Sequence, residues 1–223
     1  MGRFPQALGR KGSKKWIQKL INEKPEMLNF EIIRKLNLPR KEKIHWLSPL
    51  KDDEYAEYRD EEFLERLGIG LEIVTLSDFW PDGGPQWDGL GRSSSGNLFL
   101  VEAKSHIDEM ISTMQAKSKE SRKKICDSLE KTKQFLNARP EVEWSSVFYQ
   151  YANRLSHLYL LKQLNQLPAY LVFVYFINDL EMKGPKTIDE WKGAIKLLRS
   201  YMGIRRHKLQ NFITELFIDV SGL

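Results

Sequence analysis

The residues whose types and spacing carry the most chemistry are Asp88, Glu102 and Lys104. Asp88 and Glu102 stand at equal distances from Ser95, the middle of the polar run SSSGN at 93–97. Ser and Gly favour tight reversal, so residues 86–106, QWDGLGRSSSGNLFLVEAKSH, read as two strands joined by a turn. An antiparallel hairpin centred there sets the two carboxylates roughly opposite each other. Side chains alternate along a strand, so Lys104 shares the face of Glu102, while Phe99, Val101 and Ala103 take the other. Two carboxylates and an ammonium thus converge on strands that are otherwise mostly apolar, a costly arrangement unless something uses it.

Asp88 in WDG, with Glu102 and Lys104 in VEAK across the hairpin, resembles the PD-(D/E)XK nuclease superfamily. The resemblance implies an α/β protein with the restriction-endonuclease-like αβββαβ core, a central mixed sheet flanked by helices. It implies that the acidic pair holds a divalent metal and that the lysine positions or activates the attacking water. In that superfamily an acidic residue from the first helix often stands beside the metal, which marks Glu57. A Gln with a second polar or aromatic residue one turn later is common on a following helix. Here that pair is Gln150 with Arg154, a departure from the commoner Gln-x-x-x-Tyr.

The chemistry expected from these residues is phosphodiester hydrolysis. A phosphodiester repels nucleophiles and has a poor leaving group, and Mg²⁺ or Mn²⁺ addresses both difficulties. Mg²⁺ takes hard oxygen ligands and keeps several waters, so Asp88, Glu102 and the main-chain carbonyl of Ala103 suffice. Lys104 would orient or deprotonate the water, and Arg154 could contact a phosphate. The expected partner is nucleic acid, DNA before RNA, with no membrane partner and a homodimer left open. Two other readings stand beside this one: a catalytically inactive nucleic-acid-binding or assembly module on the same fold, and a purely structural ion pair of Glu102 and Lys104 with Asp88.

Asp82, in the Pro-Asp of PDGGP, competes with Asp88 for the role of first acid. Its partner across the same hairpin would be residue 108, beyond the strand, and Gly83, Gly84 and Pro85 interrupt a ladder. Asp88 is therefore the first acid. Other catalytic classes lack their motifs: GRSSSG has no Gly-Lys-Ser/Thr, and no Gly-x-Ser-x-Gly occurs. His45, His106, His157 and His207 have no Cys or His at zinc spacing.

These residues must be positioned by one sizeable core, which 223 residues can supply. With 41% hydrophobic residues, 29% charged residues and six Trp, the composition is that of a folded domain. A formal charge of +5 suits a polyanionic partner. The lone Cys126 excludes an intrachain disulfide and fits a reducing compartment. No run reaches the roughly 20 apolar residues of a membrane span, and the expected localisation is cytoplasmic.

In chain order, residues 1–50 read as an N-terminal helical extension packed on the core, with helices from Ser13 and over 30–36. Residues 51–223 read as the nuclease-like domain. KDDEYAEYRDEEFLERLGI predicts one helix from Asp52 or Asp53 to the stop at Gly68, bearing Glu54, Glu57 and Glu61. LEIVTLSDF, 71–79, predicts a strand. A long helix follows over 107–136, basic in KSKESRKK, where a solvated face and a phosphate-tracking one are both open. Helices over 147–165 and from a Thr187 cap to Gly203 bracket the apolar strand 169–177, and 214–220 predicts the last strand.

Overall fold

The computed structural model describes residues 2–223. Among these, the chain is an α/β protein with seven helices, a five-stranded mixed sheet and a small two-stranded sheet. In chain order the elements are β1 (Arg3–Phe4), α1 (Gly12–Glu23), α2 (Pro25–Lys35), β2 (Ile44–Ser48), β3 (Glu57–Tyr58), α3 (Asp60–Leu67), α4 (Leu76–Phe79), β4 (Gly89–Ser93), β5 (Leu98–Lys104), α5 (Lys119–Phe135), α6 (Tyr149–Leu158), β6 (Ala169–Ile177), α7 (Ile188–Tyr201) and β7 (Ile213–Asp219). A π-helical turn, Tyr159–Leu164, continues α6. The large sheet runs β2-β4-β5-β6-β7; β2, β4 and β5 pair antiparallel, and β5, β6 and β7 pair parallel.

Both faces of the sheet are covered, as a parallel half requires. Phe99, Val101, Val172, Val174, Leu216 and Ile218 meet Ile17, Leu20 and Ile21 of α1 and Leu28 and Ile32 of α2. Leu98, Leu100, Leu171, Phe173 and Tyr175 meet the second helical layer, including Leu155 of α6 and Trp191 and Ile195 of α7. On β4 the chain must pass close under its neighbours. A Cβ at Gly91 would stand 3.1 Å from the Trp46 ring, and one at Gly89 3.1 Å from Ile21.

The later elements follow the sequence signals closely. Thr187 caps α7 by accepting from the Glu190 N–H at 3.3 Å, and Gly203 follows its end at φ 67°. The earlier ones differ in five places. Residues 1–50 provide two helices, but also the strand β2, which pairs with β4 and becomes an edge of the central sheet. Ser13 does not cap α1; its hydroxyl donates to Glu109 at 3.0 Å.

The helix expected from Asp52 to Leu67 is broken. Glu54 and Tyr55 adopt positive φ, β3 pairs with β1, and only α3 is α-helical, with a 3₁₀ turn at Lys51–Asp53. Long-range strand pairing overrides the helical propensity of that acidic stretch. Residues 71–79 form no strand either, because β2 holds the place beside β4. The Ile73 and Val74 N–H groups donate to Asn165 Oδ1 at 3.0 and 3.2 Å, and Thr75 caps the short α4. Side-chain partners satisfy backbone groups that a ladder would otherwise need. The helix expected over 107–136 begins only at Lys119, where Ser118 caps it.

No helix among the described residues is long and apolar enough to cross a membrane.

Candidate active site

The hairpin forms in the register that the spacing predicts: Gly89 pairs with Val101 and Leu90 with Leu100, so Asp88 and Glu102 are the next positions along the two strands. Its turn is closed by the Ser93 N–H donating to the Asn97 carbonyl at 2.8 Å. The buried Glu42 braces it, accepting from the Ser95 N–H at 3.2 Å and from the Ser95 hydroxyl at 2.5 Å.

Asp88 is half-buried, and its Oδ2 accepts from the Ala103 N–H at 2.7 Å. The N–H and C=O of one residue in a strand point to the same side, so the Ala103 carbonyl also faces the Asp88 side. Burial of its carboxylate, reinforced by the negative charges of Glu102 and Glu57, raises the Asp88 pKa well above the usual carboxylate range. The neighbouring Glu102 is only 1% exposed, and it behaves in the opposite way. Burial works against its charge, but Arg154 and Lys104 outweigh burial and hold its pKa low.

Glu102 is gripped from both sides. Lys104 Nζ donates to its Oε1 at 2.5 Å, and Arg154 Nε donates to its Oε2 at 2.6 Å. The helix α6 supplies the second tier. Gln150 and Arg154 are one turn apart on one face, and Gln150 Oε1 accepts from Lys104 Nζ at 2.8 Å. The Gln150 N–H is itself held by Ser112 Oγ at 2.8 Å. Arg154 is buried; it donates to Asn153 Oδ1 at 3.0 Å and to the Gln86 carbonyl at 2.7 Å, and stacks 4.7 Å above the Trp87 ring. A hollow of about 10 Å³, roughly the space of one water, lies between Glu102, Lys104, Gln150 and Tyr151.

Glu57 reaches this cluster from β3 instead of from a helix. Gln86 Nε2 donates to its Oε2 at 2.5 Å. Burial raises its pKa, the Glu102 charge adds to this, and Lys14 and Arg154 oppose it. The fold thus gathers Glu57, Asp88, Glu102, Lys104, Gln150 and Arg154. It leaves out Glu54, which is exposed and pairs with Arg3 at 2.9 Å, and Asp82, which is exposed in its loop. His106 turns to Glu109, 3.4 Å away.

Three contributors have no individual prominence in the sequence: Lys14 from α1, Gln86 and Trp87. Gln86 lies two residues before Asp88, and side chains two apart in extended chain share a face. That spacing was the available signal. Lys14 has none, because only packing of α1 on the sheet brings its charge near Glu57.

The residues present fit a small divalent cation. Asp88, Glu102 and the Ala103 carbonyl are hard oxygen donors on one side of the hairpin, with Glu57 close enough to feel the charge of Glu102. Among the described residues, no group of three or more His, Cys, Asp or Glu side chains is arranged to hold a metal. With a metal bound, the carbonyl and waters would complete the shell, which is how Mg²⁺ is commonly bound. Comparison of the chain with protein-family models, with curated proteins and with solved structures found no match.

Proposed function

We propose that this protein is a metal-dependent nuclease, acting on DNA in preference to RNA, on a restriction-endonuclease-like core of the PD-(D/E)XK kind. The observation that carries the reading is the convergence of Asp88 and Glu102 across one hairpin, with Lys104 two residues further on the same face and fixed by Gln150. A bound Mg²⁺ or Mn²⁺ would neutralise phosphoryl oxygens and lower the pKa of a bound water.

The chain's own residues supply the rest. Asp88 and the Ala103 carbonyl are held on one side of the hairpin by the bond from the Ala103 N–H. Glu102 stays ionised because two cations clasp it. Lys104 is an ammonium with two acceptors fixed and a third donor position left, which orients a water toward a phosphate. Gln150 sets the direction of that ammonium. Arg154 offsets the charge of Glu102 and, through the Gln86 carbonyl, ties α6 to the strand that carries Asp88.

The test uses plasmid, single-stranded DNA and RNA, each with Mn²⁺ or with EDTA. Mn²⁺-dependent cleavage by the wild type should fall roughly 100-fold or more in Asp88→Asn and in Lys104→Ala, with unchanged circular dichroism. Undiminished cleavage by either variant sinks the reading. A second reading, a non-catalytic nucleic-acid-binding or assembly module, draws on the fact that both Glu102 oxygens already have cationic partners. Calorimetric titration with Mn²⁺ separates the two, because only the enzyme requires binding through Asp88 and Glu102.

A further inference from the structure

The sheet carries a second acid–guanidinium pair on the same face as the first. Glu102, Phe173 and Glu215 are register partners across β5, β6 and β7. Two strand spacings put Glu215 about 10 Å from Glu102. Arg199 of α7 donates to Glu215 at 2.5 Å, as Arg154 of α6 donates to Glu102. Around Glu215 the surroundings are quite different.

Two adjoining hollows, about 350 and 490 Å³, open between α7, the edge strand β7 and the segment after Gly203, and share Arg199, Arg205 and Glu215 in their walls. Lys35, Arg139, Lys192, Lys196, Arg205 and Arg206 line them, together with Arg199. All of these except Arg199 are exposed. Glu215 is the one carboxylate in the walls, and Arg199 occupies it. Asp189 stands outside them, 3.4 Å from Lys192. Seven cations less one carboxylate leave an excess of six, whereas the whole chain carries +5. Even with Asp189 counted against Lys192, the cleft carries a strong local excess of positive charge. His207 also lines it, with a buried Nδ1 that has no hydrogen-bond partner.

We propose that this cleft is a binding site for the sugar-phosphate backbone of duplex nucleic acid, separate from the Asp88–Glu102 site. The cations come from α2, from the segment after α5, from α7 and from the segment after Gly203. That is too broad a spread for one phosphate and suits successive phosphates along a strand. The walls hold no Trp or Tyr and a single Phe, Phe217, which favours backbone contact over the base stacking that single strands use. Lys35, Arg139, Lys196, Arg205 and Arg206 form no ion pair with a carboxylate among the described residues, so they lose little on meeting phosphate. The proposal deepens the nuclease reading by giving its substrate a second hold, but nucleic-acid binding here does not require cleavage at the other site.

The test is fluorescence anisotropy of a labelled DNA duplex in EDTA over a range of salt, using the full chain. Arg205→Ala/Arg206→Ala should weaken binding about tenfold and make the log–log salt dependence shallower by about 2. Lys196→Gln, on the exposed face of α7, should shift both in the same direction by about half as much. Lys117→Ala/Lys119→Ala, beside the start of α5, serves as the control and should bind within twofold of the wild type. Wild-type affinity in both cleft variants overturns the proposal, and so does an equal loss in the α5 control, which would mean that net charge alone matters. Mn²⁺-dependent cleavage of plasmid, single-stranded DNA and RNA by the wild type is measured alongside. Its absence in the wild type, with duplex binding still lost in the cleft variants, refutes the nuclease reading and upholds the cleft.

Discussion

Asp88 and Glu102 are neighbouring carboxylates treated in opposite ways by their surroundings. Glu102 has two cations at hydrogen-bond distance and remains charged in spite of burial. Asp88 has one backbone N–H, together with the repulsion of Glu102 and Glu57. A carboxyl whose folded pKa is raised binds its proton more tightly when folded. Stability therefore falls as pH rises through that raised pKa, and the full cost is present above it. Asp88→Asn removes the cost. In EDTA at about pH 7.5 the variant should melt above the wild type, by roughly 2–4 °C for each kcal/mol relieved in a chain of this size. The difference should shrink as pH falls below about 4, where the carboxyl becomes protonated in the unfolded chain as well. Equal melting temperatures at both pH values would mean that Asp88 is not electrostatically strained. The same substitution is the one expected to abolish cleavage, so gained stability with lost activity is the signature to look for.

At the scale of elements, α6 organises the site by presenting two faces. Gln150 and Arg154 face the hairpin, while His157 lies behind them among Phe63, Phe79, Trp80 and Trp87, with its Nδ1 against the Asn153 carbonyl at 2.9 Å. Burial, with the Arg154 charge adding to it, lowers the His157 pKa to about 3. The folded state thus refuses a proton that the unfolded chain accepts near its ordinary value of about 6.5. The His157 contribution to stability should be level above about pH 6.5 and fall as pH drops from there toward about 3, at up to 1.4 kcal/mol per unit. His157→Gln should make that fall shallower by one proton's worth, read from urea midpoints at several pH values. Identical slopes in the two proteins would show that other groups set the acid sensitivity. Elements also explain the misread segments. Thr75-x-x-Asp78 is a capping pattern, visible in the sequence, that marks a helix start where apolar alternation suggests a strand.

Across the whole molecule, the site depends on both helical layers meeting the sheet. On one side α6 clasps Glu102. On the other, α1 packs beneath the hairpin, and its Trp16 Nε1 donates to Asp179, just past the end of β6, at 2.7 Å. A cation bound by Asp88 and Glu102 would bridge β4 and β5 and stabilise only the folded chain. At a Mn²⁺ concentration about 100 times its dissociation constant, the gain is about 2.7 kcal/mol, or roughly 5–11 °C in melting temperature. Thermal denaturation with and without Mn²⁺ should show that rise in the wild type and none in Asp88→Asn. No rise in the wild type would count against a metal site of any function. The basic cleft beside β7 is a property of this scale as well, since its cations are contributed by four separate segments.

The sequence by itself determined the hairpin, its register and the facing pair Asp88 and Glu102, because turn chemistry and strand alternation are local rules that survive folding. It also determined α7 with its Thr187 cap, the apolar strand β6, and the one-turn pairing of Gln150 with Arg154. Tertiary structure decided which chain segments compete for the same place. Ile44–Ser48 took the sheet edge beside β4, leaving residues 71–79 to bend around Asn165. Pairing of β3 with β1 pulled Glu57 out of a helix and set it beside Gln86. The convergence of distant cations on Glu215 was likewise invisible along the chain. Local propensity differs by tenths of a kcal/mol between conformations, whereas pairing a strand into a covered sheet buries several side chains at once, each worth about 1.5–3 kcal/mol. Where the two disagreed, at Glu57 and at residues 71–79, long-range burial prevailed; at the Asp88–Glu102 hairpin they agreed.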